Sequence, residues 1–172
     1  SKTYEFEPLP DGVEPQYIKG GQANLWSEQL YNMRHAEYMT WPRGMAIAES
    51  LWSPKTKKDW ERFFPKVEAH FGRLDMAETK YAPSVYDPKF TVSRTADKQL
   101  KISLTKEVAG LDIHYSFDNS FPDQFYPKYT EPLVPPKDAV MLKVITYKNN
   151  QPVGRMIAMP IAELKARADK AK

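Results

Sequence analysis

The hydrophobic pattern of this chain changes its period once, near residue 82. Before that point, apolar residues recur at spacings of three and four, which marks one face of a helix. The clearest such stripe consists of Trp60, Phe63, Phe64, Val67, Phe71 and Leu74. After that point, apolar and polar residues alternate, as in strands with one buried face. We therefore predict two domains, residues 1–82 and residues 83–172.

The N-terminal domain is predicted to hold one short strand and two or three helices. The strand covers residues 17–25, and its paired glycines at 20 and 21 allow another part of the chain to approach the backbone closely. Helix follows from residue 34, with Pro42 in the first turn of a continuing helix that ends at Ser53 and Pro54. Pro65 predicts a kink or two abutting helices within the apolar stripe.

The C-terminal domain is predicted to be a small antiparallel β-sandwich. Five short alternating runs carry the prediction: Phe90/Val92, Leu100/Ile102/Leu104, Ile113/Tyr115/Phe117, Val140/Leu142/Val144 and Met156/Ala158. Polar residues between them, such as Lys101, Ser103, His114 and Ser116, are expected on the opposite, polar face. Turn residues separate the runs at Asp118-Asn119, Pro135-Pro136 and Asn149-Asn150.

Composition excludes several classes of function. The formal net charge of +3 is too small to indicate a nucleic-acid partner. The sequence has no cysteine and only three scattered histidines, so we expect no metal site and no cofactor. No apolar run approaches the roughly 18 residues of a membrane span, and no signal peptide is visible. The cations near the C-terminus are predicted to form a solvated helix face: Lys165, Arg167, Lys170 and Lys172.

Trp26 and Glu28 are the residues whose chemistry stands out. The predicted strand delivers an indole and a carboxylate together at its carboxyl end, which in a β/α barrel is where substrates bind. Trp26 offers a flat apolar face to a sugar ring, and Glu28 offers two acceptor oxygens to hydroxyl groups. Two structural alternatives stay open at this point: Trp26 as a buried aromatic at the strand end, and Glu28 as a residue favoured at a helix N-terminus by the dipole.

The segment around these two residues resembles a known family. Gly20 to Glu28 reads Gly-Gly-Gln-Ala-Asn-Leu-Trp-Ser-Glu, and Glu37-Tyr-Met, Pro42-Arg, Ala48-Glu and Leu51-Trp-Ser follow it. This pattern closely resembles the last strand and helix of the family 20 glycoside hydrolases, the β-N-acetylhexosaminidases. Residues 60–81 are similar to the closing helix of that barrel, and residues 111–147 to the sandwich that follows it in many bacterial members. The expected fold is α+β: the C-terminal end of a (β/α)8 TIM barrel, then a small antiparallel β-sandwich.

The resemblance implies an enzyme that removes terminal, non-reducing β-linked N-acetylhexosamine residues from glycans. In such enzymes the acetamido oxygen of the substrate attacks the anomeric carbon, assisted by an adjacent Asp-Glu pair. No Asp-Glu dipeptide occurs in this sequence, so we assign no catalytic residue and expect the fragment alone to be inactive. By the same resemblance, Trp26 walls the acetamido pocket and Glu28 binds the hydroxyls at positions 4 and 6. It also implies export to the periplasm or the medium, which no residue here shows.

Two further expectations concern partners and alternatives. A complete barrel takes about 250 residues, so the resemblance implies an upstream barrel in the same chain. A fragment folding alone would have to cover its barrel helices with each other or with a second copy, by dimerisation or domain swapping. The alternative function is a non-catalytic carbohydrate-binding or structural accessory module. The rings that could form its glycan platform are Tyr115, Phe117, Phe125, Tyr126 and Tyr129, although packing at turns is the favoured interpretation of these residues.

Overall fold

The computed structural model describes residues 2–170 of the chain. They divide into two compact units, Ser1–Ala82 and Pro83–Lys172, which we call unit 1 and unit 2. Unit 1 is helical, whereas unit 2 combines antiparallel strands with one helix, so the α+β class is confirmed. Within residues 2–170, no helix has both the length and the apolar character that crossing a membrane requires.

Unit 1 contains three α-helices whose starts are fixed by side-chain caps or by proline. The Asn32 side chain accepts a hydrogen bond from the His35 amide at the start of the first helix. Asp59 accepts from the amides of Glu61 and Arg62 at the start of the third. The helices are α1 (Met33–Thr40), α2 (Arg43–Trp52) and α3 (Trp60–Met76), with short 3-10 turns at Pro15–Tyr17, Ser27–Gln29 and Lys55–Lys57.

The apolar stripe of α3 forms the core of unit 1, as its spacing predicts. Its buried residues are Phe63, Phe64, Val67 and Phe71. The ring of Tyr4 stacks on Phe63 with the ring centroids 4.6 Å apart. The hydroxyl of Ser50, buried on α2, donates to the carbonyl of Tyr4 at 3.1 Å. The N-terminal loop is thus held by both α2 and α3.

The strand predicted for residues 17–25 does not form. Among residues 2–82 the structure has no strand, and the chain at 18–26 has no regular secondary structure and is exposed from residue 19 onward. Ile18 and Trp26 at its two ends do have extended backbone angles. A barrel strand needs hydrogen-bonded neighbours on both sides, and no other segment of unit 1 supplies one. The extended conformation therefore remains unpaired.

The prediction for Pro42 is wrong, and so is the alternative of two abutting helices at Pro65, whereas the alternative of a kink at Pro65 stays a prediction. Pro42 follows a cis peptide bond and precedes a separate helix, α2, instead of lying within one that continues from α1. Pro65 lies inside α3, which runs unbroken from Trp60 to Met76. Proline in the second turn removes one backbone hydrogen bond. The buried phenylalanines around it hold the helix in place despite that loss.

Unit 2 is organised around one long strand, β4. The strands are β1 (Lys89–Arg94), β2 (Leu100–Thr105), β3 (Asp112–Ser116), β4 (Met141–Lys148), β5 (Gln151–Pro152) and β6 (Ile157–Pro160), followed by helix α4 (Ile161–Lys170). β4 pairs with β3, β5 and β6, while β1 pairs with β2 in a second sheet. Asn149 and Asn150, both at positive φ, form the two-residue turn between β4 and β5.

The core of unit 2 lies between the apolar faces of its strands and α4. Leu142 and Val144 of β4, Ile102 of β2 and Leu164 of α4 are fully buried there. The exposed positions of α4 include Lys165, Arg167 and Lys170, so the predicted solvated face is confirmed for these three. Lys172 lies outside the described residues.

The opposite face of the β3–β4 pair is also covered, contrary to the expected polar surface. His114 and Ser116 are 2% and 4% exposed. The Nδ1 atom of His114 lies 2.7 Å from the carbonyl oxygen of Tyr126, and the Ser116 hydroxyl donates to the carbonyl of Ser120 at 2.7 Å. Carbonyls of the segment after β3 thus satisfy both polar groups, which removes the cost of burying them.

Replacing Leu164 by alanine tests whether α4 is part of the core. We expect Leu164→Ala to lower the free energy of unfolding of unit 2 by about 2–5 kcal/mol, because it removes a fully buried side chain. Urea denaturation followed by circular dichroism measures the change. The exposed neighbour Lys165→Ala is the control, expected within about 0.5 kcal/mol of wild type. Equal stability of the two variants would contradict the packing.

Candidate functional site

Trp26 and Glu28 lie at the short turn that precedes α1. Trp26 is 69% exposed, and Glu28 is an exposed residue in the 3-10 turn Ser27–Gln29. The alternative of a buried aromatic does not hold for Trp26 in this structure. The cap of the following helix is Asn32, so Glu28 does not have the capping role either. Both side chains are free to contact a ligand.

Glycine allows the segment before Trp26 to lie against α2. A Cβ atom added to Gly21 would be 2.6 Å from a methyl group of Leu51. Only a residue without a side chain fits this approach unless Leu51 moves. The close backbone approach predicted from the paired glycines is therefore observed at Gly21, and it sets the position of the site segment relative to α2.

Large apolar side chains are exposed along the whole site segment. Leu25, Trp26, Tyr31 and Met33 are exposed within nine residues. The ring of Tyr31 lies parallel to that of His35, with the centroids 5.7 Å apart. Apolar side chains clustered on a surface commonly mark a ligand or contact site. Sequence reasoning identified Trp26 but not the exposure of the other three.

Polar contacts join α1 to α2 and to the segment that follows α3. Arg43 donates to the carbonyls of Met39 at 2.9 Å and of Tyr38 at 3.4 Å, at the end of α1. Arg43 therefore has a structural role at the end of α1. The carboxylate of Glu37 accepts from the amide of Lys80 at 2.9 Å, which joins α1 to the segment after α3.

Trp52, which belongs to the Leu51-Trp-Ser part of the pattern, lies on the surface of unit 1. Trp52 is 89% exposed, at the C-terminal end of α2. It borders two cavities of unit 1, one of about 520 Å³ beside residues 7–13 and one of about 330 Å³ between α2 and α3. Neither cavity is lined by Trp26 or Glu28.

The aromatic residues proposed for a glycan platform in unit 2 mostly pack inward. Tyr115, Phe117 and Tyr129 contact the hydrophobic core, and the Tyr129 hydroxyl accepts the Leu104 amide at 3.0 Å. Phe125, by contrast, is 86% exposed. The structure therefore does not bring these rings together into a flat surface.

Two carboxylates anchor the segment that carries these aromatics. Lys128 donates to Asp112 at 2.8 Å, and this hydrogen bond is the main cause that lowers the pKa of Asp112. The amide of Ser120 donates to Asp118 at 2.9 Å and chiefly lowers the pKa of that carboxyl; the Tyr126 hydroxyl contributes as well. Favourable donors stabilise the charged form in both cases.

Comparison with known proteins assigns the two parts of the chain to different families. Residues 1–55 match the model of the glycosyl hydrolase family 20 catalytic domain, and residues 102–158 match the family described as Fn3 associated. The β-hexosaminidase of Porphyromonas gingivalis is 37% identical over 83 residues, 46% of this chain and 11% of that protein. That of Akkermansia muciniphila is 37% identical over 71 residues, covering 40% and 14%. The β subunit of mouse β-hexosaminidase is 38% identical over 74 residues, covering 41% and 14%.

The N-terminal part of the chain is therefore similar to glycoside hydrolases. More narrowly, residues 1–55 match the family 20 catalytic domain, and the resemblance to β-hexosaminidases is confirmed. The chain spans about a tenth to a seventh of the length of these three relatives. Trp26 and Glu28 both fall within the matched residues 1–55.

A titration experiment tests the anchoring of the aromatic segment. We expect Lys128→Met to raise the pKa of the Asp112 carboxyl towards its ordinary value, because the variant removes the main donor. The lowered pKa favours folding above the ordinary pKa of aspartate, and that gain is lost as the pH falls through the lowered pKa. Carboxyl-carbon NMR measures the change. Asp118 is the internal control, and an unchanged Asp112 would contradict the assignment.

Proposed function

We propose that this chain is part of a β-N-acetylhexosaminidase that removes terminal, non-reducing β-linked N-acetylhexosamine residues from glycans. The observation that carries the proposal is the match of residues 1–55 to the family 20 catalytic domain, with Trp26 and Glu28 inside it. The names of the relatives that cover this region, all β-hexosaminidases, agree with it.

Trp26 and Glu28 would form one side of the sugar site. The exposed indole of Trp26 offers an apolar wall to the acetamido methyl group. The exposed carboxylate of Glu28 accepts hydrogen bonds from the hydroxyls at positions 4 and 6, and such charge-assisted bonds are stronger than neutral ones. Because these residues are two positions apart on one short turn, they can act on the same sugar ring.

The chemical step requires residues that this sequence does not contain. In the proposed substrate-assisted mechanism, the acetamido oxygen attacks the anomeric carbon while a glutamic acid protonates the leaving oxygen, and an adjacent aspartate orients the acetamido group. This chain has no Asp-Glu dipeptide. The catalytic pair would be supplied by the upstream part of the barrel, as would strand neighbours for residues 18–26.

Residues 83–172 would be the accessory β-sandwich domain that follows the barrel. The antiparallel strands of unit 2 and the match of residues 102–158 to the Fn3 associated family support this part of the proposal. The exposed apolar residues of unit 1 support a further part, that unit 1 alone would dimerise or exchange segments to cover them. Export from the cell, expected by resemblance, completes the proposal.

The 172-residue chain by itself should not hydrolyse an aryl β-N-acetylglucosaminide, because it has no catalytic pair. Release of the coloured aryl group, followed by absorbance, measures this. The same assay on a protein that restores the upstream barrel should show turnover. Activity of the 172-residue chain alone would contradict the proposed division of the site.

Replacing Glu28 by glutamine in the longer protein tests its role. We expect kcat/KM to fall about 100-fold or more, because glutamine retains the shape but removes the charge that strengthens two hydrogen bonds. Glu61→Gln on the exposed side of α3 is the matched control, with expected activity near that of wild type. Equal activity of both variants would remove Glu28 from the site.

A further inference from the structure

Unit 2 contains a cavity of about 340 Å³ that plays no part in the proposed hydrolysis. Three separate segments contribute to it: the turn between β1 and β2, the loop before β4, and α4. Its lining residues are Arg94, Lys98, Gln99, Leu100, Val134, Pro135, Pro136, Lys137, Ile161 and Lys165. Its volume is near the lower end of the range for small-molecule sites, which suits one sugar ring or a group of similar size.

The charged residues that line this cavity are all cationic. Lys98, Lys137 and Lys165 each come from a different segment, and none of the three side chains has a carboxylate partner among the described residues. The lining contains no aspartate or glutamate. Positive groups that converge without counter-charges create a potential that attracts an anion.

The fourth cation, Arg94, organises the cavity. Its guanidinium holds both carboxylate oxygens of Asp169 on α4 at 2.9 Å. It also donates to the carbonyl of Lys98 at 3.3 Å, which joins the β1–β2 turn to the same point. Arg94 is therefore neutralised by Asp169 and positions two walls, while the lysines supply the uncompensated charge.

The remaining walls are apolar and stiff. Val134, Pro135 and Pro136 border the cavity on one side, and proline rings restrict the backbone of that loop. The side chains of Leu100 and Ile161, which are 4% and 3% exposed, belong to the core below. An apolar wall beside a cluster of ammonium groups suits a ligand with both a hydrocarbon face and an anionic substituent.

We propose that this cavity binds an anionic saccharide, with the ammonium groups of Lys98, Lys137 and Lys165 on its sulfate or carboxylate and the Pro135–Pro136 wall against the sugar ring. The saccharide part of this inference rests on the proposed function, whereas the anion part rests on the cavity alone. Bound in this way, unit 2 would hold a charged glycan independently of the hydrolytic site.

Titration calorimetry on the 172-residue chain tests the proposal without any catalytic step. The probes are N-acetylglucosamine 6-sulfate, glucuronic acid, neutral N-acetylglucosamine and inorganic sulfate. We expect one of the two anionic sugars to bind with a Kd of about 1 mM or tighter, weakening as salt is added, and the neutral sugar to bind at least about tenfold more weakly. Which anionic sugar binds more tightly identifies the substituent that is recognised.

A pair of double variants locates the binding. Lys137→Gln combined with Lys165→Gln should weaken binding of the anionic sugar about tenfold or more. Lys101→Gln combined with Lys170→Gln removes the same charge from exposed positions outside the cavity and should change the Kd less than about twofold. Thermal unfolding of both proteins verifies that they are folded.

Several results would overturn the proposal. Equal weakening by both double variants would indicate general charge attraction instead of a site. Absence of binding by either anionic sugar would remove the site itself, and inorganic sulfate binding as tightly as the sugars would remove its saccharide part. None of these results depends on hydrolysis, so an inactive longer protein would contradict the proposed function and leave the anion part of this inference standing.

Discussion

The hydrogen-bonding requirement of an extended backbone governs the N-terminal half of this protein. Residues 18–26 have the composition of a barrel strand, and such a strand bonds to neighbours on both sides. Unit 1 supplies no such neighbour among residues 2–82, so the segment forms no strand. The exposure of Trp26 beside it is in keeping with a site whose other walls lie elsewhere.

The helices of unit 1 hold the N-terminal loop and the segment before Trp26 in place, although that segment has no strand partner. Aromatic packing of Tyr4 on Phe63, with the Ser50 hydroxyl on the Tyr4 carbonyl, joins the N-terminal loop to α2 and α3. Gly21 then brings the site segment against Leu51 of α2. All of these contacts lie within unit 1.

Unit 2 differs from unit 1 because its strands pair with one another within the unit. β4 is bordered by β3 on one side and by β5 and β6 on the other, and α4 closes the core. Its polar groups are satisfied as well: His114 and Ser116, which alternation placed on an open face, are covered and hydrogen-bonded. Alternation along a strand shows which residues lie on the same face of the sheet. It does not show whether a distant loop covers that face.

The sequence by itself determined the local features of this protein. Periodicity located the change of architecture and the core stripe of α3, turn residues located the β4–β5 hairpin, and the motif around Trp26 and Glu28 identified the family. These features depend on residues close together in the chain, whose spacing is visible in the sequence.

Tertiary structure alone decided the rest. It left the predicted strand unpaired, exposed Trp52, and gathered Lys98, Lys137 and Lys165 around one cavity, although the sequence indicated only a solvated helix for the last of these. Each of these outcomes depends on contacts between segments that are distant in the sequence. Such contacts are set by the packing of whole helices and strands, and they leave no pattern along the chain.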